Sequence, residues 1–360
     1  VLGNALRKSG LMEDNMRKQR KDEHIERFLQ TEYQGNNLLS DVYVETNSLP
    51  GLADKDVDTS TIFLGQKVDF PLYINAMTGG TDLSEEINSD LAYIARTFNL
   101  PMAVGSQKIA LEDEAARKSF HVVREVLGRP HTVIDNLGAE ADEEMVREAM
   151  AMIEADAIGI HINVSQELAM AEGDKDFSRF EENIRRICQA FPGKVIAKEV
   201  GFGLSEVVGK KLVEAGVAAI DVSGYGGTNF VEIEDLRAFD FDYSEFYSWG
   251  IPTAKAILNV RRASEEVCLI ASGGIKTASD IVKAIILGAD MTAISGELLR
   301  FLLFGGRDYA SKYVQDLILH TRNAMVMLGC TTIEDLKRVP YKLTGRLREI
   351  EMGEWKQGRK

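Results

Sequence analysis

A chain of 360 residues, 45% of them apolar, can bury one large α/β core or two medium ones, and none of its apolar runs reaches the roughly 18 residues that cross a bilayer. The formal net charge of -14 excludes nucleic acid as the main partner, because phosphate backbones demand basic surface, whereas a small anionic ligand needs only a local basic pocket. Cys188, Cys268 and Cys330 form no C-x-x-C pair, so buried, reduced thiols are expected in place of a zinc site or a disulfide framework.

In chain order, "VLGNALRKSGLMEDNM" has no apolar stretch of the signal-peptide kind, and residues 1–16 are expected to be a disordered extension or a cloning remnant. Residues 17–69 read as a flap and lead-in, opened by "RKQRKDEH" (17–24). On a helix Arg20 and His24 share a face and Lys21 borders it, which suits either a solvated basic face or a clamp on a diphosphate. Residues 70–330 then alternate short apolar runs with amphipathic ones. The strand candidates are "LYINA" (72–76), "PMAVG" (101–105), "TVIDN" (132–136), "AIGIHI" (157–162), "VIAKE" (195–199), "AAIDVS" (218–223), "CLIAS" (268–272) and "MTAIS" (291–295). Between them, Ile87, Leu91, Ile94 and Phe98 fall on one helical face, as do Val208, Leu212 and Ala215. Strand–helix alternation implies parallel pairing with right-handed crossovers. Eight units predict a (β/α)8 TIM barrel, with an open doubly wound sheet as the alternative.

About forty residues separate "SGYGGT" from "CLIAS", and a lid is expected there, with a helix resuming near Pro252. The pattern "YVQDLILHTRNAMVML" should stop at Gly329, and Thr331 with Glu334 has the spacing of a capping box. Residues 331–360 are expected to be a C-terminal helix and a frayed tail, "WKQGRK".

In a barrel the strand ends and the loops after them build the site. Here they read "AMTGG", "GSQK", "NLG", "HINVSQE", "KEVG", "SGYGGT", "SGGI" and "SGE". Gly226–Gly227, Gly273–Gly274 and Gly296 would let backbone N–H groups approach a phosphate, aided by a helix starting near Thr277. Lys198, inside an apolar strand, needs an anion, and its neighbour Glu199 points to the other face. Glu167 offers a single carboxylate, suited to Mg²⁺ that keeps waters and shares substrate phosphates. His161, Asn163 and Gln166 cluster beside it.

The series "RKDEH", "INAMTGG", "AVGSQ", "NLGA", "HINVSQE", "KEVGFG", "SGYGGTNF" and "ASGGI" resembles, in order and from about Arg20 to Gly329, the type 2 isopentenyl-diphosphate isomerases, FMN-dependent enzymes on a (β/α)8 barrel. The resemblance implies a 1,3-proton shift between isopentenyl and dimethylallyl diphosphate without net redox change, with reduced FMN as acid and base and NADPH as reductant. It implies that Arg20, Lys21, His24 and Lys108 bind the substrate diphosphate, together with Gln166. Catalytic roles fall to His161, Asn163 and Gln166, which line the substrate pocket, and Mg²⁺ to Glu167. FMN would meet Ala76, Met77, Thr78, Ser106, Asn136, Lys198, Ser223 and Thr228, with its phosphate near Gly273, Gly274, Ser295 and Gly296. Lys108 stands where the family usually carries arginine, which exchanges a bidentate contact for a point charge, and "AISGE" also departs from the usual pattern. A cytoplasmic homo-oligomer, tetramer or octamer, is implied as well.

Other readings of the same barrel stay open. An FMN-dependent hydroxy-acid oxidase would need an "HGGR"-like segment, and a barrel resembling IMP dehydrogenase would need a cysteine in the loop after the sixth strand; neither feature is present. A flavin- or phosphate-binding module without catalysis is the reading from another class.

Overall fold

The computed structural model describes residues 19–237 and 242–353. The expected extension over 1–16, the tail "WKQGRK" and the middle of the expected lid lie outside the described residues.

Eight parallel strands close into a barrel: β1 Leu72–Ile74, β2 Met102–Ala103, β3 Val133–Gly138, β4 Ala157–Ile162, β5 Val195–Glu199, β6 Ala219–Asp221, β7 Cys268–Ala271 and β8 Met291–Ile294. The last strand pairs with the first, Thr292 with Leu72 and Ile294 with Ile74, which rules out the open doubly wound sheet. Five strands are one to three residues shorter than their apolar runs. β3 is longer, because its pairing with β4 continues to Gly138 opposite His161.

The two-residue period of a strand decides what faces inward. Tyr73, Ala103, Ile134, Ala157, Ile196, Ala219, Ile270, Met291 and Ala293 fill the interior, joined by Phe63 and Val68 from the hairpin Thr61–Phe63/Gln66–Val68. Phe63 stacks on Tyr73 with ring centroids 6.1 Å apart. One step further along seven of the strands, the same face carries Asn75, Gly105, Asn136, Lys198, Asp221, Ser272 and Ser295. The apolar plug therefore ends in a polar ring at the C-terminal mouth. The alternate residues, such as Leu72, Ile158, Ile220 and Leu269, pack outward against helices. Among these helices, Asp82–Thr97 buries Ile87, Leu91 and Ile94, and Glu206–Ala215 buries Leu212 and Ala215.

The long connection after β6 holds the helix Phe230–Arg237, a short turn at Ser244–Phe246 and the helix Thr253–Ala263, which follows Pro252 as expected. The helix Gly296–Leu328 breaks at Gly306 and stops at Gly329, whose φ of 75° is the left-handed conformation of a C-cap. The capping box that follows is formed by Thr332 and Asp335, not by Thr331 and Glu334, so that expectation is one residue off. Asp335 wins because its Oδ2 also accepts from the N–H and hydroxyl of Thr331. The C-terminal region contributes a strand as well as helices: Tyr341–Leu343 pairs antiparallel with Val42–Val44. The helix Gly345–Met352 is then tied to the barrel by Glu351, which meets Arg262 at 2.6 Å and the buried Lys255. None of the described helices is long and apolar enough to cross a membrane. All three cysteines are free.

Candidate active site

Residues 19–30 form a helix that lies over the mouth of the barrel. Its apolar side, Ile25 and Phe28, is buried. Polar contacts fix both ends: Asp22 accepts from Thr81 Oγ1 at 2.7 Å, and Glu232 Oε1 accepts from the backbone N–H groups of Glu32 and Tyr33 at 2.8 and 2.9 Å. Glu232 belongs to the helix Phe230–Arg237, whose start is capped by Asn229 Oδ1. The two helices are also joined by Arg237 with Glu23 at 3.2 Å, and by Glu234, whose Oε1 lies 3.0 Å from His24 Nε2.

Beneath this cover are two chambers that share Lys21, His24, Ala76, Met77 and Lys198 as walls. The first, about 360 Å³, is also lined by Thr78, Ser223, Thr228, Gly273, Gly274, Ser295 and Gly296. The second, about 530 Å³, is lined by Arg20, Ser106, Lys108, Asn136, His161, Asn163, Gln166 and Glu167, with Glu140, Glu172 and Asp174. Every residue expected to bind substrate, cofactor or metal or to act in catalysis thus borders one chamber or both. Ser106 and Asn136, expected beside the cofactor, border the second.

The glycines of the first chamber are there because three loops touch. A Cβ on Gly274 would stand 2.2 Å from Gly226 O, and one on Gly227 would stand 2.5 Å from Gly274 N. Gly226 and Gly274 also have φ of 130° and 78°, a region open to glycine at no steric cost. The loops present bare backbone at the end of a chamber whose volume lies in the range of cofactor pockets. Lys198, 7% exposed, faces that chamber and donates from Nζ to Glu199 O at 3.0 Å. Burial lowers its affinity for a proton, and Asp221 and then Glu199 oppose that. The Glu199 side chain turns away, as strand alternation requires, and accepts the backbone N–H groups of Val200, Gly201, Phe202 and Gly203. Burial pushes its carboxyl up to about 7. The residues present suit a planar cofactor carrying an anionic edge and a phosphate.

In the second chamber, β4 ends at Ile162 and the chain turns at Asn163 into the helix Val164–Ala169. Lys175 Nζ closes the far end of that helix by donating to the carbonyls of Glu167, Leu168 and Met170. Glu167 is held by Asn163 Nδ2 at 2.7 Å and by the Asp174 N–H at 2.7 Å. No group of three or more His, Cys, Asp or Glu among the described residues converges on a metal position. A carboxylate that keeps lone pairs free suits a cation with water and ligand oxygens as its other neighbours.

His161 Nδ1 donates to Asn136 Oδ1 at 2.9 Å, which leaves Nε2 as an acceptor. Burial is the main cause that brings His161 down to about 4, helped by Lys198, Lys21 and Lys108 and opposed by Glu140. Lys21 is brought down to about 8 by burial and then by Arg20. Arg20 Nη1 lies 3.6 Å from Glu172, and its Nε is buried without a hydrogen-bond partner among the described residues.

Three carboxylates central to this geometry escaped the sequence reading. Glu140 Oε1 accepts from Lys108 Nζ at 2.9 Å; Glu234 meets His24, Gln166 and Arg237; Asp221 lies inside the barrel beside Lys198. Only Asp221 carried a signal, since it is an acid inside the apolar run "AAIDVS".

The profile of the FMN-dependent dehydrogenases matches residues 127–341 of this chain. A protein of Bacillus pumilus (strain SAFR-032) named isopentenyl-diphosphate delta-isomerase is 41% identical over 331 residues, which cover 91% of this chain and 92% of the relative. One of the same name from Listeria innocua serovar 6a is 39% identical over 351 residues, 94% of this chain and 97% of the relative. Among solved structures, a flavocytochrome b2 variant with sulfite bound aligns with a TM-score of 0.65 at 18% identity, over 90% of this chain and 84% of that one. A mandelate oxidase variant with an FMN adduct gives 0.62 at 19% identity, over 86% and 90%. At such identity these two share the fold and nothing finer is carried over. Taken with the closed eight-stranded barrel, the matches show that the chain belongs to the type 2, FMN-dependent isopentenyl-diphosphate delta-isomerase family.

Proposed function

We propose that this chain interconverts isopentenyl and dimethylallyl diphosphate by a 1,3-proton shift, with FMN in the first chamber and the substrate with Mg²⁺ in the second. The observation that carries this reading is the shared wall: Lys198, Met77 and Ala76 border both chambers, so ligands filling the two would lie face to face. When bound, reduced FMN supplies the acid and the base for the shift.

The chain's own residues bind, orient and exclude water. The loops at Gly226–Gly227, Gly273–Gly274 and Ser295–Gly296 receive the cofactor phosphate, and Thr78, Ser223 and Thr228 its polar edges. Lys198 provides positive charge for the reduced ring. Ser106 and Asn136, which line the second chamber, would meet the cofactor only along the shared wall. Arg20, Lys21, His24 and Lys108 take the diphosphate; the unpartnered Nε of Arg20 and the depressed ammonium of Lys21 both gain from an anion. Glu167 holds Mg²⁺ jointly with the diphosphate. His161 stays neutral at working pH and offers Nε2 as an acceptor. Asn163 orients Glu167, and Gln166 reaches the alkene side under the control of Glu234. The helix 19–30 acts as the flap and shields the cation-like centre from water.

NADPH as reductant, a cytoplasmic setting and a homo-oligomer of four or eight copies belong to the same proposal. The test is an isomerisation assay with FMN, Mg²⁺ and NADPH, omitting each in turn. Conversion should require all three, and a colourless protein that gains no activity from added FMN would overturn the reading.

A further inference from the structure

One buried acid has no place in the roles above. Asp221 on β6 is wholly buried and is the register partner of Lys198 on β5. Both side chains face inward, and residues paired in this way on adjacent strands stand side by side. The carboxylate is held by three donors: Asn75 Nδ2 reaches Oδ2 at 2.8 Å, while Ser272 Oγ and the Ser223 N–H, at 3.1 Å, reach Oδ1. Tyr73 Oη lies 3.3 Å from Oδ2 but gives its hydrogen to Asn75 Oδ1 at 2.6 Å, which orients that amide. Such a cage fixes the position of a charge more firmly than a flexible ion pair does.

Lys198 needs such a charge, because a buried ammonium without a counter-ion gives up its proton. Of the other titratable groups around it, Glu199 supports the charge less than Asp221 does and the rest do not. Glu199, on the same strand, turns its carboxylate to four backbone N–H groups, and burial brings it up to about 7. His161 on β4 is neutral, and Lys21 from the covering helix, which borders the same two chambers, supplies no negative charge.

We propose that Asp221 is a positioning residue whose carboxylate keeps Lys198 protonated at the wall between the chambers, and so sets how strongly the protein prefers reduced over oxidised FMN. This rests on the FMN site proposed above.

The test is the midpoint potential of FMN-reconstituted protein against pH, for the wild type, Asp221→Asn, Lys198→Met and the double variant. Asp221→Asn should lose about tenfold of the preference for reduced FMN, a fall of about 30 mV for a two-electron couple. The fall should grow as pH rises and Lys198 gives up its proton. The double variant should match Lys198→Met alone, since the acid acts through the lysine. A wild-type potential in Asp221→Asn at every pH, or effects that add in the double variant, would overturn the proposal. Should Asp221→Asn fail to fold, Ser272→Ala removes one of the donors that fix the Asp221 carboxylate beside Lys198. Its potential should fall less but in the same direction, and an unchanged value counts against the role. A wild-type protein that takes up no FMN would instead overturn the underlying site.

Discussion

Gln166 Nε2 donates to Glu234 Oε1 at 2.9 Å, and that same oxygen lies 3.0 Å from His24 Nε2. One carboxylate, 1% exposed, thus joins the loop after β4, the helix Phe230–Arg237 and the covering helix 19–30. His24 and Arg237 hold it below the usual carboxylate range against the burial that would raise it. Glu234→Ala leaves Arg237 and His24 facing each other without it. Arg237 keeps Glu23 and Glu172, so the loss is that of a hydrogen bond between charged groups, about 1.5–3 kcal/mol. The denaturation midpoint should fall accordingly, and protease should cut within residues 19–30 faster than in the wild type. Equal cleavage rates would show that Glu234 does not hold the cover.

This junction also marks how far the sequence could be read. Continuous apolar runs announce buried parallel strands, so all eight were legible from "LYINA" to "MTAIS". Strand-end chemistry is local too, so His161, Asn163, Gln166, Glu167, Lys198 and the glycine pairs could be placed at the mouth. Glu234 is different: 68 residues separate it from Gln166, and it sits in the stretch read as a lid, where nothing local singles out one acid among several. Glu140 gains meaning only when Lys108, 32 residues away, folds onto it. The capping box slipped by one residue because Glu334 and Asp335 are both plausible partners and only the fold chooses between them.

Arg20 supports substrate binding alone in this reading. Its nearest charge, Glu172, is also engaged by Arg237 at 2.9 Å, so Arg20 is free to turn to a diphosphate. A hydrogen bond to a charged group contributes about 1.5–3 kcal/mol. Arg20→Ala should therefore raise KM or lower kcat/KM by about tenfold to a hundredfold, with FMN content unchanged. Unaltered kinetics would return the segment to a solvated basic face.

Glu167 separates metal from cofactor. Its carboxylate borders the second chamber and is absent from the walls of the first. Glu167→Gln should weaken the response of activity to Mg²⁺, with partial recovery at higher Mg²⁺, while the yellow colour stays. Loss of FMN with an intact Mg²⁺ titration would reverse the assignment.

Lys21 gives the reading a pH limb. Buried and beside Arg20, it loses its proton at about 8 in place of the ordinary 10.5. Below that pH it carries the charge that a diphosphate needs; above it the amine is neutral. Substrate binding should weaken as pH rises through about 8, and Lys21→Arg should move the limb to higher pH because arginine keeps its proton. A KM that stays flat across this range in the wild type would remove Lys21 from the diphosphate site.

The most direct test of an isomerase that uses flavin without net redox change is a stoichiometry. Anaerobic enzyme with FMN, Mg²⁺ and isopentenyl diphosphate is started with a limiting amount of NADPH, and dimethylallyl diphosphate formed is compared with NADPH oxidised. Product should exceed NADPH consumed many times over if, as proposed, reduced flavin is not used up in the proton shift. One NADPH oxidised for each product molecule would contradict this and make the chain a reductase.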